Sequence, residues 1–104
     1  MKFVPLHVHS EYSLLDGLSK TSQISKRIEE TETHVCALTD HGTVSGAVDF
    51  YQTLKASSPR PILGCEFYIC KDGSATDRHP DNKSLLHQVV IARNLEGWKD
   101  LLSL

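Results

Sequence analysis

Short apolar runs alternate along this chain with segments of helical period, and polar residues stand where the runs stop. That alternation limits the fold more than any other feature. KFVPLHVH (2–9), HVCALTD (34–40), ILGCEFYIC (62–70) and LLHQVVIA (85–92) read as strands. Between them, Ile24 and Ile28 share one face of a predicted helix over 22–31, with Ser19 or Thr21 as its N-cap. Ala47, Val48, Tyr51 and Leu54 suit a second helix over 44–56, which SSPRP (57–61) ends. Asn94 caps a third helix over 94–104. SEYSLLDG (10–17) and the polar KDGSATDRHPDNKS (71–84) are loops.

The predicted order is β-α-β-α-β-loop-β-α. Strands alternating with helices imply an α/β fold, with parallel strands joined by right-handed crossovers. Near-continuous apolar strands imply a sheet buried on both faces. Pro5 lacks an N–H, which places its strand at an edge or makes this the strand's start. Four strands alone leave a bare sheet edge. Residues 1–104 are therefore expected to be part of a larger barrel or sheet.

The composition is that of an ordinary globular domain: 104 residues, 39% hydrophobic and 23% charged, with a net charge of −2. That charge does not advertise a nucleic-acid surface, although a local metal site binds phosphates without one. No apolar run approaches the roughly 20 residues of a membrane span, and MKFVPLHVHS makes a poor secretory signal. Cys36, Cys65 and Cys70 form no CxxC pair, which argues against structural zinc and for buried free thiols in a reducing cytoplasm.

In α/β folds, functional side chains gather at the C-terminal ends of strands. His7 and His9 end the first predicted strand, and Asp40-His41 the second. Glu66 lies within the third and His87 within the fourth. Residues i and i+2 of a strand face one way, so His7 and His9 can present two nitrogens to one ion. Imidazole and carboxylate together suit Zn, Mn or Fe. A Glu in so apolar a strand is costly unless it is paired or ligates a metal. Each residue has a plainer explanation when taken singly. Asp40 could cap a turn, Glu66 could pair with an Arg, and His87 could be a satisfied core histidine. Their collection at strand ends favours a metal site, while His34 and His79 read as solvated surface residues. Clustered ions about 3.5–4 Å apart activate water and stabilise phosphoryl charge, so phosphate-ester hydrolysis is the reaction class. No P-loop or GxSxG elbow competes with it.

The HxH, the TDHG, the strand Glu and the strand His together resemble the PHP (polymerase and histidinol phosphatase) family. PLHVHSEYSLLDG, ALTDHGTVSGAVDFY, PILGCEFYI and HQVVIARNLEGWKDLLSL are similar to its polymerase branch, the amino-terminal domain of bacterial replicative polymerase alpha subunits. The resemblance implies the first β/α units of a distorted (β/α)7 barrel, truncated, with residues 1–104 a partial amino-terminal PHP domain. It implies metal ligation by His7, His9, Asp16, His41, Glu66 and His87, with Asp40 orienting His41. Up to three ions, Zn or Mn or possibly Fe, belong to a complete domain, and Mg to the polymerase activity of the parent. The implied parent is a cytoplasmic DNA-directed DNA polymerase. Its PHP site serves 3'-5' exonucleolytic proofreading or docks an exonuclease subunit. DNA, a sliding clamp and that exonuclease subunit are the implied partners, and no membrane is. By the same resemblance the piece alone is inactive. A stand-alone metal-dependent phosphoesterase and a non-catalytic scaffold are the alternatives.

Overall fold

The computed structural model describes residues 3–57, 59–71, 76 and 85–104. The elements run α1 (Thr21–Glu30), β1 (Val35–Leu38), α2 (Ala47–Ala56), β2 (Arg60–Ile69), β3 (Leu86–Ile91) and α3 (Leu95–Ser103). The three strands form one mixed sheet in the order β1-β2-β3. The core lies between this sheet and the first two helices. Ile24 and Ile28 of α1, Cys36 and Leu38 of β1, and Phe50 and Leu54 of α2 pack together there, with Val8 and Leu63 at the margin. Phe50 and Leu54 are wholly buried. Each large apolar side chain withdrawn from water contributes about 1.5–3 kcal/mol.

β1 and β2 pair in parallel, from Val35 opposite Arg60 to Leu38 opposite Leu63, as the α2 crossover requires. β2 and β3 pair antiparallel, from Gly64 opposite Ile91 to Ile69 opposite Leu86. This corrects the all-parallel expectation. No helical pattern separates the two strands in sequence, and only antiparallel neighbours can be joined without a crossover. Burial on both faces also fails at β3, where Leu86, His87, Gln88 and Ile91 are exposed among the described residues. The loop expected over 71–84, with His79, lies largely outside the described residues.

The first predicted strand is not a regular strand. Residues 3–9 run beside β1, where Pro5 O accepts from Ala37 N–H at 2.9 Å and Val8 O from Thr39 N–H at 2.9 Å. Two residues of β1's side thus span three on the other, an extra residue of the β-bulge kind. Pro5 has no N–H to give, and Val8 N–H turns to Thr39 Oγ1 at 3.0 Å instead of a carbonyl.

Helix starts also differ from expectation. Lys20, not Ser19 or Thr21, is the N-cap of α1, and Gln23 Oε1 accepts its N–H at 3.0 Å. Thr21 is inside the helix, with its hydroxyl spent on Asp49 Oδ2 at 2.6 Å. α2 begins at Ala47, not 44, because Thr43 Oγ1 takes Ser45 N–H at 3.1 Å and holds a local turn. The third helix matches expectation: Asn94 Oδ1 accepts from Gly97 N–H at 2.9 Å.

Candidate metal centre

The sheet delivers the polar residues to one place. Beyond the end of β1, His41 forms a parallel bridge with Glu66. Glu66 N–H donates to Asp40 O at 3.0 Å, and Gly42 N–H to Glu66 O at 2.8 Å. On β3, His87 stands opposite Tyr68, so the period of two puts Glu66, Tyr68 and His87 on one face. The bulged segment 3–9 brings His7 and His9 to the same carboxylate.

Glu66 is the hub. Its Oε2 lies 2.8 Å from His7 Nε2 and 2.7 Å from His9 Nε2, and those two nitrogens are 3.2 Å apart. Its Oε1 lies 3.2 Å from His87 Nδ1. Two overlapping donor sets result among the described residues: His7, His9 and Glu66, and His41, Glu66 and His87. Within each, one ligand atom per residue lies within 4.8 Å of the others. Asp16 belongs to neither set but stands at their border. Its Oδ2 is 2.6 Å from His9 Nδ1 and 3.0 Å from His41 Nδ1.

The electrostatics follow the geometry. Burial pushes the Glu66 carboxyl up, but hydrogen bonds from His7 and His9 outweigh it and hold the group below its ordinary value. The His41 hydrogen bond draws Asp16 down against partial desolvation, and the charges of His9 and His41 add to it. His41 Nε2 is buried without a hydrogen-bond partner, alone in this among the described side chains. Buried polar atoms are ordinarily satisfied. An orphaned imidazole nitrogen among three more imidazoles and a shared carboxylate fits a divalent metal ion.

The structure thus gathers all six residues expected at the site. Asp40 is placed differently from a partner of the His41 ring. It is buried, and its carboxylate accepts from Ser10 N–H at 2.6 Å, Ser10 Oγ at 2.8 Å and Ser13 Oγ at 3.3 Å. Ser13 Oγ in turn accepts His41 N–H at 2.7 Å. His34 is exposed, as expected.

Sequence reasoning missed Ser10, Ser13 and Tyr68. The Tyr68 ring sits 4.7 Å from His41 and 5.3 Å from His87, centroid to centroid. Its position two after Glu66 was the available signal. Gly42, at φ 66°, leaves room for that ring, since a Cβ there would lie 2.8 Å from Tyr68 Cε2. No helix among the described residues is long and apolar enough to cross a membrane.

Comparison with known proteins agrees with this picture. Residues 5–104 match the family described as PHP domain. The DNA polymerase III subunit alpha of one strain of Helicobacter pylori is 40% identical over 102 residues, 98% of this chain and 8% of that protein. The subunit of the same name from Borreliella burgdorferi is 40% identical over 104 residues, 99% of this chain and 9% of that protein. That of Treponema pallidum is 39% identical over 106 residues, 100% of this chain and 9% of that protein. The chain spans less than a tenth of the length of these relatives. With the family matched over nearly its whole length, and the same stretch about 40% identical to the PHP region of DNA polymerase III alpha subunits, the chain belongs to the PHP domain family.

Proposed function

We propose that this chain is the metal-holding amino-terminal part of the PHP domain of a replicative DNA polymerase alpha subunit, and that its imidazole–carboxylate cluster serves phosphodiester chemistry. Residues 1–104 supply the first β/α units of a (β/α)7 barrel. The parent extends DNA with Mg, works in the cytoplasm, and assembles with a sliding clamp and an exonuclease subunit. The PHP site is a 3'-5' exonuclease or the dock for one.

One observation carries the reading: a single buried carboxylate, Glu66, is shared between two imidazole groups, beside a buried nitrogen with no partner. His7, His9 and Glu66 would hold one ion, and His41, Glu66 and His87 a second. Asp16 joins them as the loop ligand. Bound Zn or Mn supplies Lewis acidity to a phosphate oxygen and to the attacking water. The protein's part is to keep the donors converged. Asp16 orients the His9 and His41 rings, and Tyr68 packs against His41 and His87.

Mass spectrometry of the purified chain tests this, beside a chain carrying His9→Ala and Glu66→Ala. Stoichiometric Zn, Mn or Fe, lost in the double variant, is expected. Release of 3'-terminal nucleotides from single-stranded DNA with Mn by the native protein carrying this sequence then decides between exonuclease and dock. Equal, substoichiometric metal in both chains overturns the metal reading. Primer extension by the native protein carrying this sequence tests the parental role, and failure to add nucleotides overturns it.

A further inference from the structure

We propose that Ser13 is a positioning residue of the site. It ties the Asp16 loop to the His41 turn and thereby fixes the His41 imidazole with Nδ1 on Asp16 and Nε2 free. Only its consequence for ion affinity rests on the metal reading above.

Ser13 bonds in two directions. Its backbone carbonyl accepts from Asp16 N–H at 3.1 Å and Gly17 N–H at 2.8 Å. Its hydroxyl accepts from His41 N–H at 2.7 Å and donates to Asp40 Oδ1 at 3.3 Å. The main chains of Asp16 and His41, 25 residues apart in sequence, therefore hang from one residue, the first from its carbonyl and the second from its hydroxyl. Their own side chains meet as a consequence, with Asp16 Oδ2 at 3.0 Å from His41 Nδ1.

The polarity of this link is fixed. A serine hydroxyl has one proton and two lone pairs. The Asp40 carboxylate offers only acceptors, so the proton points to Asp40 and a lone pair is left for His41 N–H. Ser10 holds that carboxylate from the other side through its own N–H and hydroxyl. Ser10, Ser13 and Asp40 are all at most 1% exposed, so water does not compete. Asp16 likewise offers an acceptor to Nδ1, which selects the tautomer of His41 carrying its proton there. Nε2 then presents a lone pair, and it is the buried nitrogen that has no hydrogen-bond partner. The loop needs such an anchor: Leu15, one residue before Asp16, sits at φ 68°, a conformation that persists for leucine only where its surroundings enforce it.

Long-range proton–nitrogen correlation on the metal-free chain, at about pH 8 where imidazoles are in general neutral, reads the tautomer directly. The wild type is expected in the Nδ1–H form at His41. Ser13→Ala is expected to give a mixture with a substantial Nε2–H fraction. Ser13→Cys, with a poor acceptor in nearly the same volume, is expected to do the same and serves if the alanine variant does not fold. Ser25→Ala is the control: it removes another buried hydroxyl, bonded to Ser57, and should cost stability without moving the His41 tautomer. In a competition titration with Zn, Ser13→Ala should weaken the His41 group by at least about tenfold. A Ser13 variant that keeps the wild-type tautomer overturns the proposal, as does a Ser25→Ala chain that shifts it equally. A wild type that binds no Zn refutes the metal reading, and the tautomer still decides the role of Ser13.

Discussion

His41 and Glu66 face each other across a parallel backbone bridge, three residues past the point where β1 ends. The bridge keeps the β1–β2 register through Thr39 and Asp40. It sets the Glu66 carboxylate between imidazoles arriving from both sides, Oε2 toward His7 and His9 and Oε1 toward His87.

Because that carboxylate serves both groups, Glu66→Gln should act on both at once. The amide keeps the volume and loses the charge and one acceptor. In a competition titration with a chromophoric chelator, every Zn equivalent of the chain should weaken by at least about tenfold. Loss confined to one equivalent would mean that the two groups do not share Glu66.

The outer histidines should separate what Glu66 joins. His7→Ala removes a donor from the His7–His9–Glu66 group alone, and His87→Ala from the His41–Glu66–His87 group alone. Each variant should lose one equivalent and keep the other. If either abolishes both, the cluster binds as one indivisible unit.

The site was more legible in the sequence than the sheet was. Histidines at the ends of apolar runs, and a glutamate and a histidine inside them, are costly unless they are paired, so His7, His9, His41, Glu66 and His87 stood out. Strand direction left no such mark. LLHQVVIA reads the same way whether it pairs parallel or antiparallel, and only the helix-free connection before it carried the answer. Pro5 marked the first run as an edge or a strand start, but neither the loss of a regular strand there nor the detour of Val8 N–H to the Thr39 hydroxyl showed. Ser10 and Ser13 were silent because their bonds run to Asp40, far along the chain, with no period to betray them.

Acid should destabilise the metal-free chain through two carboxyls. Glu66 and Asp16 both ionise below their ordinary values of 4.5 and 3.8 in the folded chain. The unfolded chain therefore binds more protons as the pH falls. Their contribution is complete above the unfolded values and disappears as the pH drops through the folded ones. Thermal unfolding in chelator should show a falling midpoint below about pH 5. Glu66→Gln should flatten part of that fall, and an unchanged slope would remove Glu66 from the account.

The three thiols should react unequally. Burial pushes Cys36 up to about 11 and raises Cys65 as well, and both are buried, while Cys70 is half-buried at the end of β2. The thiolate is the reactive form. Iodoacetamide at about pH 8 should label Cys70 first and reach the other two only on unfolding. Peptide mass spectrometry reads the order, and early labelling of Cys36 would show that β1 opens in the native state.

Gly46→Ala should probe how firmly Asp40 is held. Gly46 caps α2 at φ −81°, where any residue can sit, so backbone strain is not at issue. A Cβ there would lie 2.8 Å from Asp40 Oδ2, 2.8 Å from Tyr12 Cδ2 and 3.1 Å from Ser10 Oγ. Ser10 and Ser13 pin the carboxylate, so it cannot step aside without giving up a hydrogen bond. Overpacking a site of this kind costs about 1–3 kcal/mol, and the preference of a helix N-cap for glycine over alanine adds to the loss. Urea unfolding of the metal-free chain should register that loss, with the midpoint lowered and the slope unchanged. A midpoint equal to or above the wild type would mean that Asp40 can move, and its bonds to Ser10 and Ser13 would then not be rigid enough to hold the site.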